Sequence, residues 1–187
     1  NHGFVLPMAI ERDTVIVGAP RDDSTLNVIS ANFDQDASVD LKNLTRSEPF
    51  PWLDYISGVA SMLQESGKSL PGADLLILGD VPLGSGLSSS ASLEMAAVSM
   101  FETLAGFTLD DIEAAKLCQR VENDFLGVSS GIMDPLVSRC AHKDHALFLD
   151  CRSLEAKLIP AKFDDAVFII ADTKKPRTLA ESEYNDR

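Results

Sequence analysis

The chain has 187 residues, with 45% hydrophobic and 24% charged side chains. That is enough for one domain with a substantial core, and it is the composition of a folded globular protein rather than a disordered one. The formal charge of −13 is spread along the whole chain, which argues against a nucleic-acid or anionic-membrane partner.

No apolar run approaches the ~20 residues that span a bilayer. Asn1-His2-Gly3-Phe4 carries neither a basic region nor a cleavage signal, and it reads as a cut edge. Cys118, Cys140 and Cys151 form an odd set without C-x-x-C spacing. This speaks against a zinc site or a disulfide framework and for reduced thiols in a cytoplasmic protein.

In chain order, strands are expected at Phe4–Ile10, Thr14–Ala19, Leu26–Phe33 and Ser38–Leu41, broken by acidic turns at Pro20–Asp23 and Asp34–Asp36. Pro51-Trp52-Leu53 opens a helix to about Glu65, with Ile56, Val59, Ala60 and Leu63 at helical spacing and Gly67 as its stop. Ala73–Leu78 is almost wholly apolar, as for a strand buried on both faces. A Gly/Ser-rich stretch, Pro82–Glu94, then runs into a helix to about Ala105. Thr108-Leu109-Asp110-Asp111 caps a further helix to about Asn123, and Gly131–Cys140 is another. His145–Asp150 and Leu154–Ile159 pair as a hairpin, and Ala166–Asp172 is a last strand. Strands in runs, with helices between some of them, predict an α+β fold.

The chemistry is concentrated in Pro82-Leu83-Gly84-Ser85-Gly86-Leu87-Ser88-Ser89-Ser90-Ala91-Ser92-Leu93-Glu94. Gly84 and Gly86 permit positive φ and close backbone approach, the serines supply hydroxyls, and the following helix presents unpaired N–H groups. Together these suit a polyphosphate. A plain connector that caps a helix fits the same residues equally well. The loop has no lysine, which excludes a P-loop, and Ser89 stands where a dinucleotide fingerprint needs its third glycine.

The stretch Pro82–Glu94 resembles the second motif of the GHMP kinases in its galactokinase form. Four further segments resemble galactokinases in the same order: Gly3–Ile10, Val128–Asp134, Asp150–Glu155 and Ser182–Asn185. The resemblance implies the N-terminal domain of that family, an α+β fold related to the second domain of ribosomal protein S5. Residues 1–187 would form this one nucleotide-binding domain, truncated at both ends.

The resemblance also implies ATP and Mg²⁺ as cofactors, galactose as substrate and phosphorylation at its anomeric oxygen. ATP would lie on Pro82, Gly84, Ser85, Gly86, Leu87, Ser88, Ser89, Ser90 and Ala91. Trp52, in the pattern Trp52, Tyr55, Gly58, would border the adenine, although a core aromatic accounts for it equally well. Ser90 and Glu122 would hold the metal ion; by itself, Glu122 reads as a solvated helix acid. Asp134 would be the catalytic residue and would touch the sugar with Tyr184, while Arg177 occupies a position often basic in the family.

One departure stands beside Asp134: the family's usual glutamine is Pro135. Proline is tolerated in a first helical turn, but any hydrogen bond of the glutamine is lost. N-acetylgalactosamine or arabinose remain alternative substrates, and a non-catalytic sugar and ATP sensor is an alternative role. The family's first and third motifs are absent. The chain alone is therefore expected not to phosphorylate galactose efficiently, and to expose apolar surface that favours low stability or self-association. Its oligomeric state is open.

Overall fold

The computed structural model describes residues 3–172. Seven strands and four α-helices follow in the order β1 (Phe4–Val5), β2 (Thr14–Arg21), β3 (Thr25–Ser30), β4 (Gln35–Asp40), α1 (Leu53–Glu65), β5 (Gly72–Gly79), α2 (Ser89–Ala105), α3 (Asp111–Arg120), α4 (Met133–Cys140), β6 (His145–Asp150) and β7 (Ala156–Pro160). The fold is α+β. β2-β5-β3-β4 form one sheet, in which only β3 and β5 are parallel, and β1-β6-β7 form a second, antiparallel one.

The four-stranded sheet buries one face. Leu26, Val28, Ala73, Leu75 and Ile77 point into a core completed by Ile56, Val59 and Leu63 of α1 and Val98 and Phe101 of α2. Burial of this apolar set is the main stabilising term, on the order of 25 cal/mol per Å². Gly18 of β2 lets α2 lie close, because a Cβ there would meet Leu75 Cδ2 at 2.6 Å and Met100 Sδ at 3.1 Å.

Four expectations from the sequence are corrected. β1 ends at Val5, and Pro7 to Ile10 leave the sheet after the Pro7 carbonyl accepts from Leu147 N–H. β5 is not buried on both faces: its residues alternate, with Leu76 and Leu78 exposed beside Val15 and Val17 of β2. An all-apolar strand cannot reveal by its own pattern that only one side is covered. Residues 166–172 form no strand, although Val167 to Ile170 are apolar, and Val167 to Ile170 lie exposed. Strand propensity becomes a strand only where a neighbour offers its backbone.

The fourth correction concerns α3. It starts at the expected cap, where Ile112 N–H donates to Asp110 Oδ1 at 2.9 Å. At its other end it widens into a π-helical turn, Val121–Leu126, closed by Gly127 in the left-handed region. The turn is seated on α1 at Gly58, where a Cβ would stand 2.6 Å from Val121 Cγ1 and 3.1 Å from Phe125 Cδ1.

Gly58→Ala should therefore destabilise the chain by about 1–3 kcal/mol through overpacking, although alanine is the better helix former by roughly 1 kcal/mol. Urea denaturation of the two proteins checks the sign, and a stabilised variant would contradict the close seat.

Candidate functional site

The turn from β5 into α2 is anchored on both sides of the sheet. Asn32 Nδ2 donates to the Gly79 carbonyl at 2.6 Å, and Gly79 N–H donates back to Asn32 Oδ1 at 2.8 Å. On the other side, Asp80 Oδ1 accepts from Asp13 N–H and Asp80 Oδ2 from Arg12 Nη1, both at 2.8 Å. These bonds hold the Asp80 carboxyl below the usual carboxylate range. A third tie joins Thr14 Oγ1 and Ser92 Oγ at 2.9 Å, fixing the first turns of α2 to β2.

Between these anchors the chain makes an open loop. Gly84 (φ 67°) and Gly86 (φ 79°) are left-handed, as expected of glycines in a loop that brings backbone to a ligand. Ser88 is left-handed too, with φ 59° and ψ 45°, and it caps α2 without a side-chain bond to the helix. A non-glycine residue there costs on the order of 1 kcal/mol, and such strain clusters at ligand sites. The earliest N–H groups of α2 have no intrahelical partners and, with the helix dipole, make this end a place for an anion.

A cleft of about 480 Å³ opens beside the loop. Gly86, Leu87 and Ser88 form one wall, residues 7–10 after β1 another, and Asp134, Val137 and Ser138 of α4 a third. The structure thus brings Asp134 to the glycine-serine loop, 46 or more residues earlier in the chain. Helix α4 is held by Arg139, which pairs with Glu102 of α2 at 3.1 Å and Asp111 of α3 at 2.9 Å. Pro135 is buried in the first turn of α4, whose first intrahelical bond runs from Leu136 N–H to the Ile132 carbonyl. Its missing N–H therefore costs the helix nothing.

A smaller cavity of about 50 Å³ adjoins the cleft through Thr14 and Val81 and is walled by Phe33, Trp52, Leu83, Ser89 and Leu93. Trp52 is buried and also lines this cavity. Its indole N–H donates to Gln35 Oε1 at 2.7 Å. Phe33 stacks on it at 6.3 Å between ring centres.

Ser90 lies in the first turn of α2, and Glu122 in the π-helical turn; neither lines these two cavities. Glu122 is buried, not the solvated acid that its position in the sequence suggests. Glu94 is fully buried, and neither of its carboxylate oxygens has a hydrogen-bond partner among the described residues. Burial pushes its carboxyl well above the ordinary value, and the charge of Glu122 adds to the effect. Both acids act on Tyr55 and Cys118, whose groups are also raised, first by burial. Two buried carboxyls therefore share one region behind the start of α2. A hydroxyl and carboxylates are hard oxygen donors, and buried acceptors without donors call for a cation or its waters, so these residues fit a dication such as Mg²⁺.

Residues 54–141 match the GHMP kinases N terminal domain. This is a GHMP kinase N-terminal domain. The galactokinase of Lactococcus lactis, solved in complex with galactose, is 33% identical to this chain, with a TM-score of 0.91 over 100% of the chain and 49% of the galactokinase. The chain thus spans about half the length of that protein. The mevalonate kinase of Methanococcus jannaschii (19% identity, TM-score 0.68) is covered over 49% of its length and covers 84% of this chain. The phosphomevalonate kinase of Streptococcus pneumoniae, solved with phosphomevalonate and AMPPNP, is 20% identical with a TM-score of 0.60, over 81% of this chain and 45% of its own. These two likenesses speak to the fold.

Of the residues expected from the sequence, Gly86, Leu87, Ser88 and Asp134 meet in the GHMP domain's cleft, and Trp52, Leu83 and Ser89 line the smaller cavity. Tyr184 and Arg177 lie outside the described residues. Asn32, Asp80, Thr14 and Glu94 were missed. Glu94 alone left a signal, an acid set among Leu93, Met95, Ala96 and Ala97 within a helix.

Replacing Asn32 by alanine removes both bonds to Gly79 and should cost about 1–3 kcal/mol. Hydrogen exchange should report the loosening at residues 79–88 rather than in β4, and uniform loosening would contradict a local anchor.

Proposed function

We propose that this chain is the nucleotide-binding half of a sugar kinase that moves the γ-phosphate of ATP to the anomeric hydroxyl of galactose. The observation that carries the reading is the cleft, which sets Asp134 opposite the left-handed Gly86–Ser88 loop and the start of α2. The similarity of the whole chain to a galactokinase complexed with galactose supports the choice of sugar.

In this reading the loop amides and the α2 dipole hold the phosphates, and the adjoining Trp52 cavity receives the base. Asp134 accepts the proton of the anomeric hydroxyl as that oxygen forms its bond to the γ-phosphorus. The bond from phosphorus to the β,γ-bridging oxygen breaks, and ADP departs. An aspartate suffices because phosphoryl transfer depends on positioning and charge management. Tyr184 would add a contact to the sugar. Ser90 and Glu122 would hold Mg²⁺, which offsets phosphate charge when bound.

Charge also explains why the chain alone is expected to turn over poorly. Among the described residues, Arg12 is the one basic side chain lining the cleft, and Asp80 already pairs with it at 2.8 Å. N-acetylgalactosamine and arabinose are the alternative sugars. A non-catalytic sugar and ATP sensor is the alternative role, favoured by Pro135, which stands in place of the family's usual glutamine and lacks its hydrogen bond.

A thermal-shift titration of the chain with MgATP, galactose and N-acetylgalactosamine tests the proposal, since ligands of the folded state raise the midpoint. MgATP should raise it and galactose should raise it further. In a longer form that turns over, Asp134→Asn should lower kcat by about 10²–10⁴-fold while leaving the MgATP shift unchanged. An Asp134→Asn enzyme with full kcat would refute the assigned role.

A further inference from the structure

Glu94 has no part in the reading above, yet it is the most anomalous side chain in the protein. It is 0% exposed, and both its carboxylate oxygens lack a hydrogen-bond partner among the described residues. A buried carboxyl without donors is costly, and hydrophobic residues of similar volume would pack there without that cost. Its neighbours on α2, Met95, Ala97 and Val98, are of that kind.

Position supplies a reason. Glu94 follows Ser90 by four residues in α2, so the two side chains lie on one face of the helix, a turn apart. The other acid of the region, Glu122, is buried in the π-helical turn, and wide turns of this sort recur at functional sites. The charges of Glu94 and Glu122 act together on Tyr55 and Cys118, from α1 and α3 respectively. Glu94 thus lies one turn from Ser90 on α2, and Glu122 is the second buried acid whose charge bears on it. A dication that keeps several of its waters supplies both the missing positive charge and the missing donors.

We propose that Glu94 is an outer carboxylate of the Ser90–Glu122 cation site, accepting hydrogen bonds from metal-bound water and raising affinity for the divalent ion. The inference rests on the reading of Ser90 and Glu122 as cation ligands. It assigns Glu94 a positioning role and no contact with the reacting atoms.

The test is Mn²⁺ binding to the chain in the presence of AMPPNP, followed by the electron paramagnetic resonance signal of free Mn²⁺. Wild type, Glu94→Gln and Glu122→Gln are compared. Loss of an outer partner typically weakens metal binding about 10–100-fold, and Glu94→Gln should weaken Mn²⁺ by at least about tenfold on that scale. AMPPNP binding without metal should not change. Unaltered Mn²⁺ affinity in Glu94→Gln, with loss in Glu122→Gln, overturns the inference and leaves the cation site standing. Unaltered affinity in Glu122→Gln as well overturns the site itself, and this inference with it. Should the glutamine variant fail to fold, Glu94→Met keeps the volume and should give the same loss. In the wild-type chain carrying ¹³C-labelled glutamate, Mn²⁺ should broaden the Glu94 carboxyl resonance, and a sharp resonance at saturating Mn²⁺ overturns the proposal.

Discussion

The hold on Gly79 and Asp80 is the constraint on which the rest of the site depends. Backbone that must meet a ligand cannot spend its N–H groups on secondary structure, so the loop from Pro82 to Ser88 has little of its own to keep it in place. Its conformation is set from the ends. Asn32 takes both backbone groups of Gly79, and Asp80 is pinned by Arg12 and Asp13, just before β2. The tie between Thr14 and Ser92 then fixes where α2 begins. With both ends fixed, the left-handed Ser88 can be tolerated, because the surrounding bonds over-determine it.

The second constraint is electrostatic. The protein is strongly acidic, and much of that charge is solvated on the surface, where it costs little. Glu94 and Glu122 are exceptions, both buried. Neighbouring acids in a low dielectric disfavour each other's ionisation. Positive charge brought near them would relieve that repulsion, and among the described residues no side chain donates to Glu94. Gly58 has a part in this, since it lets the π-helical turn that carries Glu122 approach α1.

Helix α4 contributes through its placement. Asp134, which faces the cleft, lies in its first turn, while Arg139 in its last turn is fixed to α2 and α3 by ion pairs. The ends of the helix thus divide two tasks, facing the cleft and holding position. Pro135 fits between them because a first turn has N–H groups without intrahelical acceptors.

Much of this was legible in the amino-acid sequence. Local patterns determined the helices, the β6–β7 hairpin and the glycine-serine loop, since helical spacing, caps and turn residues act over a few neighbours. The resemblance to galactokinases singled out Asp134, Ser90 and Glu122 as candidates. What only the tertiary structure decided were properties of distant residues in contact. The apolar pattern of β5 could not show that Leu76 and Leu78 stay exposed, and the run Val167–Ile170 could not show that it pairs with no strand among the described residues. Glu122 looked like a surface acid until α1 and α3 were packed around it. Glu94 looked like the tail of a motif until its two carboxylate oxygens proved buried with no hydrogen-bond partner among the described residues. Burial and partnership depend on which parts of the chain meet, and that information does not reside at any one position.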